Sequence, residues 1–478
     1  MMKQTITFLL SLAALLLSGS LSAQTIYAYT DPVSGIVFHF TVQGTNATLV
    51  SNFSSIFPAS YPGILRLPST VSDGTNTYTV TKLGQGVFPY GNYLRGADVV
   101  IPGTYTEIGD YPLSGSEINS VTFEPNSNLT SMGQRFVQES RYIKYIDMTK
   151  VITPPGGIRW YRHPGGTHTI PLGHTHAYST FYRIPLNTLV YLPNGTDPNL
   201  VPALLAGGGS VEQMNIILDG SCKNFIVYDE NTTLGMTKGM QHDLVIPHAF
   251  TAVKASYSRV FSNTSGKAVS TLYLPYPTDL PTGMQAYEFT LKGVDENGDK
   301  AFCFSPVPLG TRLQANHPYL VRVTDGATHT LPTMHNVQVP ATPAISTTAQ
   351  TSADGNWAFN GTTETLDNAA ASALKAYYLN GNRWWAVQNG VANNYIAPYR
   401  CFVSSPTGAA PAKSFLMVIE EDNLTPTDIR QLERDTQADL KNGNHTFYSI
   451  DGKRMGTDYN ALERGQMYIV NGKKFYKF

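Results

Sequence analysis

Leu83-Gly-Gln-Gly-Val-Phe88, Ile108-Gly-Asp-Tyr-Pro-Leu113 and Met132-Gly-Gln-Arg-Phe-Val137 share one pattern: a large apolar residue, glycine, two variable residues, then two that are mostly apolar. The glycines at 84, 109 and 133 stand 25 and 24 residues apart. Short strand-like pieces accompany them: Leu65-Arg-Leu67, Val99-Val-Ile101, Val121-Thr-Phe123 and Ile146-Asp-Met148. A period in the twenties with one strand per unit points to a solenoid, in which each unit buries its apolar ladder against its neighbours. Burying an Ile, Phe or Leu side chain stabilises by roughly 1.5–3 kcal/mol, so three or four such units alone are marginal. Caps or a docked domain are therefore expected.

In a strand of the form apolar-x-apolar, the apolar pair faces the solenoid core and x faces the other way. Across the array, x is Arg66, Val100, Thr122 and Asp147. Strands stacked about 4.8 Å apart place these four in one lateral stripe. Its chemistry is mixed, a cation, a methyl-rich side chain, a hydroxyl and an anion. That suits a weak, extended contact with a protein or polymer rather than a small-molecule pocket.

Turn chemistry organises the flanks. Asn-Gly occurs at 194, 297, 360, 380, 389, 442 and 471, and Asp-Gly at 73, 219, 325, 354 and 451. These dipeptides tolerate the positive φ angles of tight hairpins. Alternating runs such as Tyr319-Leu-Val-Arg-Val323 and Phe415-Leu-Met-Val-Ile419 lie between them. Thirty prolines and 41 glycines argue against long helices, and one short helix is expected from Thr427 to Leu440. The expected organisation is mainly β. A signal peptide spans 1–23 and an N-terminal β cap 24–63. A leucine-rich-repeat-type array spans 64–235, with an insertion near 150–178 marked by Pro154-Pro155, Gly156-Gly157 and Gly165-Gly166. A β-sandwich-like domain spans 250–422, a linker with the short helix 423–444, and a small C-terminal β hairpin unit 445–478.

On these residues the chain resembles the BspA-like leucine-rich-repeat surface proteins. Their repeat has a strand ending in Ile-Pro and then a Val-x-x-Ile-Gly-x-x-Ala-Phe turn. Ile101-Pro102 and Thr106-Glu-Ile-Gly109 match it, while the Ala-Phe pair appears as Val87-Phe88 and Pro112-Leu113. Gly35-Ile-Val-Phe-His-Phe40 resembles the family's opening strand, the segment Pro68–Val80 its first hairpin, and Asn187-Thr-Leu-Val-Tyr-Leu-Pro193 the segment closing its array. Tyr448–Arg454 and Gly465–Lys474 resemble the last strands of C-terminal sorting tails of secreted proteins. The resemblance implies an adhesin-like surface protein.

The first 23 residues carry one charge, Lys3, then an apolar run from Phe8 to Leu17 and small residues up to Ala23. That is the pattern of an export signal cleaved near Ala23, and it implies a secreted or cell-surface protein. No later stretch approaches 18 apolar residues, so a transmembrane chain is not expected. Formal charge is −1, or −2 without Lys3, and offers no electrostatic case for nucleic acid as a partner. Charged residues make up 14%, against about 25% in an average domain. Tyr, Thr, Asn and Gly take their place, as suits exposed sheet.

Cys222, Cys303 and Cys401 are too few and too far apart for a disulfide scaffold or a CxxC metal motif, although one bridge is possible. His163, His168, His174 and His176 crowd one Gly/Pro-rich stretch without an intervening Cys, Asp or Glu, a poor frame for tetrahedral zinc. Asp295, Asn297 and Asp299 start like a calcium loop, but Lys300 replaces the required glycine and a hairpin explains them better. No GxSxG, HExxH or P-loop motif occurs. Neither catalysis nor a cofactor or metal is expected. Trp384-Trp385 falls in a hairpin between Asn380-Gly381 and Asn389-Gly390, so one ring should be core and the other surface. The leading expectation is an extracytoplasmic binding protein for an extracellular protein or polymer. The alternatives are glycan capture on Trp384 or Trp385 with Tyr377 and Tyr378, and, third, a carbohydrate-active enzyme.

Overall fold

The computed structural model describes residues 24–478, apart from 52–56, 89–90, 92, 156, 161–167, 170–174, 177–179, 182, 201–214, 230–240, 264–268, 292–300, 346–348, 352–355, 382, 406–413, 420–439, 441–444, 464–465, 471–472 and 478. The export segment, the calcium-like loop and all but the last residue of the expected helix Thr427–Leu440 lie outside the described residues.

The chain is mainly β. Its first half stacks into a solenoid with two parallel sheets facing each other. One sheet runs Ser60–Arg66, Arg95–Ile101, Ser120–Phe123, Tyr145–Asp147, Leu189–Tyr191 and Asn215–Leu218, every neighbour parallel. The other starts with the antiparallel strands Tyr27–Thr30, Val37–Gln43 and Asn46–Val50. It continues in parallel through Thr77–Leu83 and the two-residue strands Glu107–Ile108, Ser131–Met132 and Arg159–Trp160. The region expected as an insertion thus contributes a repeat strand at Arg159–Trp160. Between the sheets, Leu65, Val99, Val121, Ile146 and Val190 sit in register and are all fully buried. Ile108, Met132 and Trp160 oppose them from the other sheet within the same core.

The repeat glycines are needed for closeness, not for handedness. Gly84 N–H donates to Leu49 O at 2.9 Å, Gly109 N–H to Leu83 O at 2.7 Å, and Gly133 N–H to Ile108 O at 2.9 Å. A Cβ on Gly133 would stand 2.4 Å from Gly109 O, and one on Gly84 2.3 Å from Leu49 O. Backbone from successive units meets there at hydrogen-bonding distance, and no side chain fits between.

The solenoid sheet does not stop at the boundary expected between 235 and 250. Asn215–Leu218 turns back through Ser221–Cys222, which pairs in parallel with Phe250–Tyr257, itself flanked by Phe225–Val227 and Met334–Val339. The following region forms a second large sheet, in the order Val269–Leu272, Tyr319–Val323, Met284–Leu291, Ala301–Pro306, Ser414–Ile419, Arg383–Ala386, Tyr377–Asn380, Arg400–Ser404, Ala358–Thr362 and Gln350–Thr351. This sheet curls. Val269–Leu272 comes back to Arg400–Ser404, where Cys401 N–H donates to Thr271 Oγ1 at 2.9 Å and its thiol to Leu272 O at 3.2 Å.

Inside the curl the core is aromatic: Phe289, Phe302, Phe304, Phe359, Phe415, Tyr377 and Trp384 are buried together. Phe302 stacks on Phe415 with centroids 4.3 Å apart, while most of the other rings meet edge to face or tilted. The outer face of the curl carries Met284, Ala286, Tyr319, Val321 and Val323. These share one buried cluster with Tyr191, Ile217, Cys222, Ala252 and Ala255 of the solenoid sheet. The sandwich-like packing of this chain is therefore made between the curled sheet and the end of the solenoid sheet.

Polar ties fix that packing. The buried Asn187 amide donates to Tyr228 O at 2.9 Å and His242 O at 2.6 Å and accepts from Tyr228 N–H at 2.9 Å. Lys144 pairs with Glu364. A short helix, Asn368–Ala373, is capped by Asp367 and covers Phe402 together with Val387 and Ile396. No disulfide joins the three cysteines, and burial pushes the Cys222 and Cys401 thiols up to about 12. A separate four-stranded antiparallel sheet, Phe447–Ser449, Arg454–Gly456, Gln466–Val470 and Lys473–Lys477, has its own small core of Phe447, Tyr459, Leu462, Tyr468 and Val470.

Candidate functional site

The pairing register puts the four expected stripe residues in one row. Arg66 pairs with Val100, Val100 with Thr122, and Thr122 with Asp147. The row continues beyond them to Tyr191, Ile217, Cys222, Ala252 and Val337. From Arg66 to Tyr191 the flanking apolar residues turn into the solenoid core, so this row lies on the opposite, outer face.

Its two ends differ. Arg66 is exposed, and Val100 and Thr122 are half-buried and belong to no buried cluster among the described residues. Arg66 reaches across the strand of Val100 to Glu124, with Nε–Oε1 at 2.6 Å and Nη2–Oε2 at 3.0 Å. This two-pronged pair holds the Glu124 carboxyl below its ordinary pKa and the guanidinium above its own. Arg66 and Glu124 therefore cancel, and the open surface reads as hydroxyl, methyl and a neutralised ion pair. Ile64, 71% exposed, extends it on the edge strand.

From Asp147 onward the row is covered. The outward direction expected for Asp147 holds, but its expected place in a solvent stripe is corrected: the side chain is 7% exposed. His248, from the chain segment leading into Phe250–Tyr257, lies on it with Nε2–Oδ2 at 2.8 Å. Asp147 Oδ1 also accepts from Thr149 N–H at 2.9 Å and Thr149 Oγ1–H at 2.7 Å. Next in the row, Tyr191 is buried and donates its hydroxyl to His248 O at 2.7 Å, and burial raises that hydroxyl's pKa.

The tryptophan pair divides as its alternation requires. Trp384 is fully buried in the aromatic core, which removes it as a ligand-stacking residue, and Tyr377 is buried with it. Trp385 is half-buried on the other face, beside Tyr378 and Ser414 in the pairing register. Of the crowded histidines, His168 and His176 stand opposite each other in a two-stranded hairpin, and His163 and His174 lie outside the described residues. Among the described residues no group of three or more His, Cys, Asp or Glu is placed to hold a metal ion.

One constellation had no signal in the sequence. Asp229, Arg259 and Arg400 converge where the curled sheet nearly closes, although 141 residues separate the two arginines. Arg400 Nη2 lies 2.9 Å from Asp229 Oδ1, and Asp229 is 3% exposed. Isolated arginines in turn-rich sequence carry no motif, so only the fold reveals them.

Among the described residues no helix is long and apolar enough to cross a membrane. No family model and no curated protein matches the chain. Two solved structures are similar to it. A leucine rich cell surface protein from Faecalibacterium prausnitzii is 18% identical with a TM-score of 0.22, covering 59% of this chain and 65% of that one. The pneumococcal vaccine antigen PcpA is 9% identical with a TM-score of 0.17, covering 42% of this chain and 72% of that one. The chain thus spans just under two thirds of the length of the first.

Proposed function

We propose that this chain is an exported, cell-surface or secreted binding protein that makes extended, non-catalytic contact with a protein or polymer. The contact surface is the open part of the outer row: Arg66, Val100 and Thr122 with their neighbours Ile64 and Glu124. One observation carries the reading. The same row is buried under a second sheet from Asp147 onward, yet Arg66, Val100 and Thr122 keep their solvent exposure among the described residues. An extended, weakly charged patch of this kind gives modest affinity, which many copies on one surface raise by avidity.

The motif likeness to BspA-like proteins supports an adhesin role, and the apolar run near the N-terminus supports export with cleavage near Ala23. On this reading the sheet Phe447–Lys477 acts as a sorting tail. A second reading, glycan capture at Trp385 and Tyr378, is favoured by their adjacency on one face.

The test is the double change Val100→Glu with Thr122→Arg. Both side chains are half-exposed, so the fold and melting temperature should be kept. Binding to arrays of immobilised extracellular proteins and glycans should fall about tenfold or more for any hit that uses the row. Hits indifferent to the pair but lost on Trp385→Ala would replace this reading with the second. Turnover of a polysaccharide would overturn the non-catalytic assignment.

A further inference from the structure

A second row runs beside the first on the outer face of the solenoid sheet. Ile64 pairs with Asp98, Asp98 with Ser120, and Ser120 with Tyr145. Each stands two residues before its counterpart Arg66, Val100, Thr122 or Asp147, so strand alternation puts both rows on one face. Ser120 is buried and donates its hydroxyl to Asp98 Oδ1 at 2.6 Å. Tyr145 is half-buried and packs against the covered cluster, and burial, together with the nearby Asp98 charge, raises its hydroxyl's pKa. The cations around this row are engaged elsewhere. Arg66 holds Glu124, Lys144 pairs with Glu364, and Arg95 lies 4.8 Å over the Tyr142 ring. Among the described residues, the half-buried Asp98 thus has a hydroxyl for a partner and no cation.

The covered half of the sheet shows how this face holds a crossing segment. There an acid and a tyrosine on adjacent strands, Asp147 and Tyr191, grip one residue of segment 241–249 at two points. The Asp147 carboxylate meets the His248 ring at 2.8 Å, and the Tyr191 hydroxyl donates to the His248 main-chain carbonyl at 2.7 Å. The two rings pack edge to face, 5.7 Å apart. Asp98 and Tyr145 repeat this combination of acid and tyrosine in the neighbouring row, at the border between the covered half and the open one. Beside them Ile64, 71% exposed, and Val100 offer apolar surface.

We infer, on the premise that the open face is the contact surface, that a partner protein extends this cover with a basic segment in extended conformation: a lysine or arginine meets Asp98, a main-chain carbonyl accepts from the Tyr145 hydroxyl, and apolar side chains rest on Ile64 and Val100. The charge of the partner follows from the face. At Asp147 the chain lays a side chain with an N–H on the row's acid, and the acid at Asp98 calls for the same complement. An acidic segment would set like charges together there.

The probe is a short labelled peptide of alternating valine and lysine, with valine–threonine and valine–glutamate peptides as controls, titrated with the full chain and read by fluorescence anisotropy. The lysine peptide should bind about tenfold or more tightly than both controls. Asp98→Asn should bring its affinity down to that of the threonine peptide. Tyr145→Phe, which removes only the hydroxyl, should weaken it about threefold or more. Ile64→Ser, on the exposed edge strand, should weaken the lysine and threonine peptides alike. These two variants keep the test decisive if Asp98→Asn does not fold. Equal binding of the three peptides overturns the inference, and so does preference for the glutamate peptide. A lysine preference untouched by Asp98→Asn, or untouched by both Tyr145→Phe and Ile64→Ser, overturns it as well. Failure of the open face itself reads differently. An array hit lost on Val100→Glu with Thr122→Arg but indifferent to Asp98→Asn keeps the contact surface and overturns only its basic partner.

Discussion

Arg66, Val100 and Thr122 occupy the same row as Asp147, Tyr191 and Ile217, with the same backbone pairing and the same outward direction, yet the first three meet solvent and the last three are buried. The side chains differ accordingly. Where the row is covered it carries Tyr, Ile, Cys, Ala and Val, which pack against the curled sheet, and its one acid has a dedicated His and Thr as partners. Where it is open it carries Arg and Thr, and its one apolar member, Val100, is bordered by an ion pair. One architecture thus meets two environments along its length: a packed platform at one end and solvent at the other. The covered half also answers the stability problem of a short solenoid, because each docked side chain adds burial that the repeats alone lack.

The comparison is sharpest at Tyr191 against Val100. Tyr191→Ala removes a buried aromatic and the hydrogen bond to His248 O, and should cost about 3–5 kcal/mol. Val100→Ala in the same row should stay within about 0.5 kcal/mol. Urea denaturation of both variants measures the difference, and similar losses would mean that the open half is structural too.

Asp147 marks the border, and its replacement should have an intermediate effect. Asp147→Ala leaves the Thr149 N–H without its acceptor and releases His248, for a loss of about 1–3 kcal/mol. His248→Ala should cost less, about 1 kcal/mol or under, because that ring is 54% exposed and its hydrogen bond to Asp147 competes with solvent. If the two variants lose equal stability in denaturation, the His248 contact rather than the Thr149 turn holds the border together.

Much of the solenoid was legible in the sequence, because its constraints are local. Glycines 84, 109 and 133 recur since backbone from adjacent units meets there, and apolar-x-apolar triplets recur since one face of each strand is core. What could not be read is what covers the other face. The in-and-out direction of Asp147 follows from alternation, but His248 lies 101 residues away. Strands of two residues, Glu107–Ile108 and Ser131–Met132, show no period at all, and Arg159–Trp160 was hidden in a Gly/Pro-rich stretch. The tryptophan pair was assigned to opposite faces but not to which face was core, since that depends on the curl of a ten-stranded sheet. The arginine seam depends on the same long-range closure.

The smallest expected effect tests the open end for strength that does not come from burial. Asp73 sits in the hairpin joining Thr70–Ser72 to Thr77–Leu83, in the solenoid sheet that faces the sheet carrying the row. Its Oδ1 accepts from Thr75 N–H at 2.8 Å and Asn76 N–H at 2.7 Å, and its Oδ2 accepts from the Tyr78 hydroxyl at 2.7 Å. These bonds favour the charged form, the Asn76 N–H most, and hold the carboxyl at about 2. An unfolded Asp titrates near 3.9. A folded pKa below the unfolded one means that the carboxylate's contribution is fully present above about pH 4 and fades as pH falls toward about 2. Asp73→Ala should therefore lower the urea midpoint slightly at pH 7, and its deficit against the parent chain should shrink between pH 4 and pH 2. A deficit that stays constant with pH would assign the effect to turn geometry rather than to the charged hydrogen bonds. A deficit as large as that of Tyr191→Ala would show that the uncovered end is not held by local turn chemistry alone, and the contrast between the two halves of the row would fail.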